Sequence, residues 1–363
     1  MQKSLISYAV IVFINLLFFY KYIDRLTHFA WAFTGLYLIL IIWILKKHIF
    51  LKIFNNRIKY IAISFLLFLA VFIHYYIDIH NLNVDRWSVI SSFFEQLEQS
   101  KYPYFAHSHL GNPPGPMPFY FLIAFPFYST GFYVLLSVFG YLLFVWLTDF
   151  KQKYSYHIIF LLLLSPFFYW ELISRSNLFT YSFLVVIAFL FFLNKNRPVL
   201  RYLGSFILGL LLATRSIYIL VLIIFYMSLL WRKKISFKDL IYNGIFLTLG
   251  FALSFIPLIA WFPNKFFVLN PFMIQSGFLI PVYYVGLFMV IAVILSFFVR
   301  DNKDIFFYSG LSLFLSILIY FFYHIFKVGF TKAYINSIAD ISYFIFSVPF
   351  LLEYLRLSKK RNI

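Results

Sequence analysis

Twelve apolar stretches follow one another along the chain, at approximately residues 4–20, 29–45, 60–77, 117–147, 157–172, 178–193, 202–214, 216–231, 239–261, 278–299, 305–326 and 336–355. A helix needs about 20 such residues to cross a hydrocarbon core of about 30 Å. Most of the sequence is therefore built to face lipid or other apolar helices. The side chains agree: 63% are hydrophobic and only 12% charged, where ordinary globular chains carry about 25% charged residues. The expectation is an all-α fold, a polytopic transmembrane bundle of about 12 spans (range 10–13). Stretch 117–147 is too long for a straight crossing and 202–214 too short, so a kink at Pro126 or Gly131 and a broken helix near Arg215 are expected.

The 30 Lys and Arg residues exceed the 12 Asp and Glu, leaving a formal charge of +18. Placing Lys46, Lys47, Lys52, Arg57 and Lys59 in the cytoplasm and alternating the later loops puts 21 of the basic residues on the cytoplasmic face and nine outside. This bias follows the positive-inside rule with both termini cytoplasmic. It also accounts for the charge without nucleic acid, which is not expected as a partner. The frequent Phe, Ile, Lys and Asn residues point to a bacterial inner membrane with a periplasmic active face.

Other classes find no support. With no Cys, disulfides and thiolate chemistry are excluded. No cleavage site follows the N-terminal apolar stretch, only Lys21, Asp24 and Arg25, so it is expected to stay as a span. The chain contains no Walker or G-x-S-x-G motif. Three segments are expected: residues 1–59, two spans and a basic loop; 60–231, a module holding the external loop 78–117; and 232–363, the remaining spans.

That loop gathers polar chemistry avoided elsewhere: Asp78, His80, Asp85, Arg86, Glu95, Glu98, His107 and His109. Trp87, Ile90, Phe94 and Leu97 recur at helical spacing, which predicts a short amphipathic helix along the membrane interface. Asp85 precedes it, where a carboxylate can either cap the helix or act chemically. Glu95 and Glu98 fall on a solvated face. Next come Tyr102, Pro103 and Tyr104, and then Pro113, Pro114, Pro116 and Pro118, four prolines in six positions that force an extended path into the next span.

In this order of elements the chain resembles the GT-C superfamily of integral-membrane glycosyltransferases, which take sugars from polyprenyl phosphates. Asp85, the helix at 87–99 and the Pro- and Tyr-containing segment 102–120 carry the likeness. Two features depart from it. Asp85 is followed by Arg86 rather than by a second acid, and two extra spans precede the loop. The resemblance implies sugar transfer with inversion, from a polyprenyl-phosphate donor to a lipid-linked or cell-surface glycan acceptor.

The chemistry needs a carboxylate base for the acceptor hydroxyl and fixed positive charge for the departing phosphate. Asp85 is the expected base. Arg215 and Arg175, each between apolar runs, are the expected phosphate clamp; for Arg175 the alternative is a pair with Glu171, and for Arg215 snorkelling. Arg86, Tyr102, Tyr104, His107, His109 and Asn112 are expected to bind substrate. The two histidines alternate as metal ligands can, but no third ligand is near and no metal cofactor is favoured. His74 reads as a core residue, and Asp340 as a partner of Lys332 or Lys327. Two rivals remain: an O-antigen polymerase or ligase, whose large loop usually comes late in the chain, and a non-enzymatic lipid or sugar flippase.

Overall fold

In a computed structural model of the protein, residues 2–47, 57–148, 155–195, 197–278 and 281–358 are described. Among them every regular element is helical. Four helices are long and apolar enough to cross a membrane: Gln2–Asp24, Ile58–Tyr76, Asn302–Val328 and Ile341–Ser358. Two bent pairs raise the number to six if each counts as one span. Large side chains left bare on these and neighbouring helices, such as Phe326 at 85% exposure and Val282 at 81%, mark a surface made for lipid. The chain is a membrane protein.

About 12 spans is not what folds, and the reasons are local. Stretch 117–147 divides into Pro118–Ser129 and Tyr133–Leu147, bent by 115°. The break falls at Gly131, whose φ of +69° favours glycine, while Pro126 stays inside the first helix. Stretch 157–172 breaks before Pro166, which opens the helix Pro166–Ile173 at a position where its missing N–H costs nothing. That helix meets Leu178–Leu193 at 108°. The helices Pro198–Leu212 and Ile219–Trp231 hold 15 and 13 residues. At 1.5 Å per residue they reach roughly 20 Å, short of a crossing. The expected break near Arg215 lies between them. The loop-by-loop partition of basic residues depended on twelve crossings and does not carry over. Its anchor, Lys46 to Lys59, lies largely outside the described residues.

One core runs through all three expected segments, from Val10 to Leu355. The helix Gln2–Asp24 packs against Pro166–Ile173 and against Val348–Ser358, so the two ends of the chain share it. Lys3 pairs with Asp304 at 2.8 Å, and Arg232 donates to Asn302 at 3.0 Å. Arg356 reaches the carbonyl of Leu147 and Lys59 that of Trp146. These contacts define one end of the bundle; Asp85 and Arg215 lie at the other.

Helices Pro198–Leu212 and Phe237–Leu253 approach each other closely through glycines. A Cβ on Gly209 would sit 1.9 Å from the Leu247 oxygen, and one on Gly250 2.1 Å from the Phe206 oxygen. Small residues allow such contact between helices in lipid. Gly209→Ala and Gly250→Ala should each lower stability by about 1–3 kcal/mol, read as a lower thermal unfolding midpoint in detergent. An unchanged midpoint for both would mean that the two helices separate freely.

Candidate functional site

The loop helix forms as expected, at Arg86–Glu98, but it is wedged rather than laid on a surface. Besides Trp87, Ile90 and Phe94 it buries Ser88, Val89, Ser91 and Phe93. Phe93 stacks on Phe121 at 3.5 Å between centroids and Phe94 on Tyr128 at 4.7 Å. These contacts fix the helix against the following membrane segment, and with it the residue at its N-terminus.

Asp85 occupies the N-cap position without capping: its side chain accepts no bond from the helix. It turns to the loop instead. Oδ2 accepts from Ser108 Oγ at 3.0 Å and from Asn112 Nδ2 at 2.7 Å. A tight turn presents both donors, with Ser108 N bonded to Asn112 O at 2.8 Å and Gly111 at φ +80°. Among the described residues Oδ1 accepts no hydrogen bond. The carboxylate, half-buried, is thus held by one oxygen with the other left available.

His109 is anchored beside it. Nδ1 lies 2.7 Å from Ser88 Oγ, Nε2 lies 3.3 Å from the Leu82 oxygen, and the ring stacks on Trp87 at 5.4 Å. Ser88 in turn donates to the Asp85 carbonyl. His107 is exposed.

Arg86 pairs with Asp340 through Nη2 and donates to Ser342 Oγ at 3.1 Å. Asp340 is therefore not the partner of Lys332 or Lys327. It ties the loop helix to the last membrane segment, 254 residues on. Burial opposes the charge of Arg86, but Asp340, with Tyr343, Asp85 and Tyr120, outweighs that and holds the guanidinium above its ordinary value. The reverse balance holds Asp340: burial raises it, and Arg86 with the Ser342 bonds lowers it further, below the usual carboxylate range. A depressed carboxyl stabilises the fold above its unfolded pKa and loses that contribution as pH falls through the folded value. Asp340→Asn should thus lower the unfolding midpoint at neutral pH, and its gap to the parent should begin to narrow as the pH falls below about 4. A gap that persists unchanged at pH 3 would show that the pair contributes no pH-dependent stability.

Arg215 is extended, at φ −152° and ψ 127°, where the helix breaks. The loop's proline segment runs beside it: Met117 N donates to Thr214 O at 3.1 Å and Phe119 N to Ala213 O at 3.0 Å. Gln275 clasps both, donating to Gly115 O at 2.8 Å and accepting from Ser216 Oγ at 2.5 Å. The half-buried guanidinium lies over the Tyr120 ring, 5.5 Å from its centroid. Among the described residues it makes no hydrogen bond and no ion pair. Tyr120 and Tyr343 are each within electrostatic reach of Asp85, Arg86 and Arg215.

Arg175, expected in the clamp, has another role. It is 2% exposed with φ +55°. Nη1 donates to the carbonyls of Leu172 and Ile173, and Nη2 to those of Ile73 and Ile77, at 2.7–3.3 Å. Its charge is balanced by the negative ends of two helices. Nor does it pair with Glu171, whose carboxylate accepts from Tyr141 and from the Phe179 amide. Tyr102 and Tyr104 also part from the expectation. Both are fully buried, with hydroxyls donating to Leu269 O and Pro116 O. They shape the loop from within and offer no surface to a substrate.

Sequence reasoning missed Ser108, Tyr120, Gln275 and Tyr343. Only Ser108, inside the polar loop, carried a signal; Tyr120 and Tyr343 lie in apolar stretches where a Tyr is unremarked, and Gln275 lies between two of them. Comparison with known proteins finds no match among family models, curated sequences or solved structures.

Proposed function

We propose that the protein is a membrane glycosyltransferase that moves a sugar from a polyprenyl-phosphate donor to a glycan or glycolipid acceptor outside the cytoplasm. The observation that carries this reading is a carboxylate oxygen of Asp85 and the guanidinium of Arg215, neither with a hydrogen-bond partner among the described residues and both within electrostatic reach of Tyr120 and Tyr343. A half-buried cation without a counter-ion favours an anion of the ligand's own. Asp85 Oδ1 takes the proton of an acceptor hydroxyl. The acceptor oxygen bonds to the anomeric carbon as the carbon–phosphate oxygen bond breaks. Arg215 receives the charge that develops on the departing phosphate. Attack opposite to departure inverts the anomeric centre.

The donor site is tested with farnesyl phosphate as probe, titrated into the purified protein in detergent. Arg215→Ala should bind it roughly 10- to 100-fold more weakly, the effect of losing hydrogen bonds to a charged group. Equal affinity for the two proteins would remove Arg215 from the site and the donor class with it.

A further inference from the structure

A cleft opens on the side of Trp87 away from His109. It encloses about 360 Å3 and is lined by His74, Asp78, His80, Gly131, Tyr133 and Arg175 among others. That volume falls within the range of ligand-binding clefts. The bend at Gly131 and the end of the helix Arg57–Tyr76 form its walls. We infer that this cleft binds a neutral carbohydrate, and that it is the acceptor's place.

Three observations select that chemistry. The polar groups are unoccupied: among the described residues neither the His74 and His80 rings nor the Tyr133 hydroxyl makes a hydrogen bond, so donors and acceptors face the cleft together. Aromatic surface accompanies them, since Tyr75 and Tyr76 also line it and are 75% and 77% exposed. Flat rings beside hydrogen-bonding groups match the C–H faces and hydroxyls of a sugar. An anion is disfavoured. Both Nη atoms of Arg175 are committed to four carbonyls, and Asp78 adds a like charge. Arg215, outside the cleft lining, has the opposite character, which separates a phosphate place from a sugar place.

The cleft and Asp85 are linked through packed side chains. His80 packs edge-on against Trp87 at 4.8 Å and Tyr133 approaches the same indole at 6.4 Å. The indole's other neighbour is His109, whose partner Ser88 is bonded to Asp85. As a sugar site the cleft stands alone; as the acceptor's place it rests on the transfer reading.

The test uses the full chain in a detergent without a sugar head group. Glucose, galactose, mannose, N-acetylglucosamine and octyl glucoside below its micellar concentration are titrated and followed by saturation-transfer NMR. Saturable binding of at least one is expected, weakened about three- to tenfold in Tyr133→Phe and in His80→Ala by loss of a hydrogen bond. Stronger binding of octyl glucoside than of glucose would assign a lipid-borne acceptor, and equal binding a free glycan. No saturable binding of any probe, binding untouched by both substitutions, or preference for glucuronate over glucose would each overturn the inference. In a transfer assay the two substitutions should raise the acceptor KM with little change in kcat. No transfer from a polyprenyl-phosphate sugar by the parent protein, with the sugar-binding pattern intact, would end the transfer reading and leave the cleft standing.

Discussion

Asp85→Asn is expected to lower sugar transfer by roughly 100- to 10,000-fold, the contribution of a positioned general base, while leaving the fold intact. The amide is nearly isosteric with the carboxylate, and its oxygen can still accept from Ser108 and Asn112, which now fix Asp85 Oδ2. What disappears is the capacity to take a proton. Transfer should be measured beside the thermal unfolding midpoint of the same sample. A variant keeping more than half of the parent turnover would show that Asp85 takes no proton in the reaction. A variant that has lost both turnover and midpoint would make the residue a strut of the loop turn.

The second large effect falls on stability. Arg175→Met should cost about 3–5 kcal/mol, because it strands buried carbonyls of two helix ends that one guanidinium now satisfies. Arg175→Lys restores charge without a planar fork and should recover only part of this. Unfolding in a graded denaturing detergent reads the difference. Unaltered stability together with weakened farnesyl phosphate binding would return Arg175 to the phosphate.

The loop helix, the break at Arg215 and the bend at Gly131 were legible in the sequence, because each is written in local chemistry: a three- and four-residue stripe, a lone cation between apolar runs, a glycine where the chain must turn. The number of spans was not. An apolar run of 13 or 15 residues reads alike whether it crosses lipid or lies buried against other helices, as Pro198–Leu212 lies against Phe237–Leu253 and Ile219–Trp231 against Val282–Phe297, and only its neighbours decide. Asp85 could be found from its loop, but the choice between cap and base depended on Ser108 and Asn112, beyond the reach of any helical period. Arg86 and Asp340 are separated by 254 positions, so the nearer Lys332 looked the better partner. Arg175 misled because its sequence neighbour Glu171 sits one turn away, whereas the backbone at φ +55° swings the side chain toward carbonyls of an earlier helix.

The clasp made by Arg175 also sets an order on biogenesis. Ile77 leaves the ribosome 98 residues ahead of its donor, a delay of about 5–20 seconds at ordinary rates of synthesis. Through that interval the nascent segment ending at Tyr76 must keep its terminal oxygens in water or lend them to the insertion machinery.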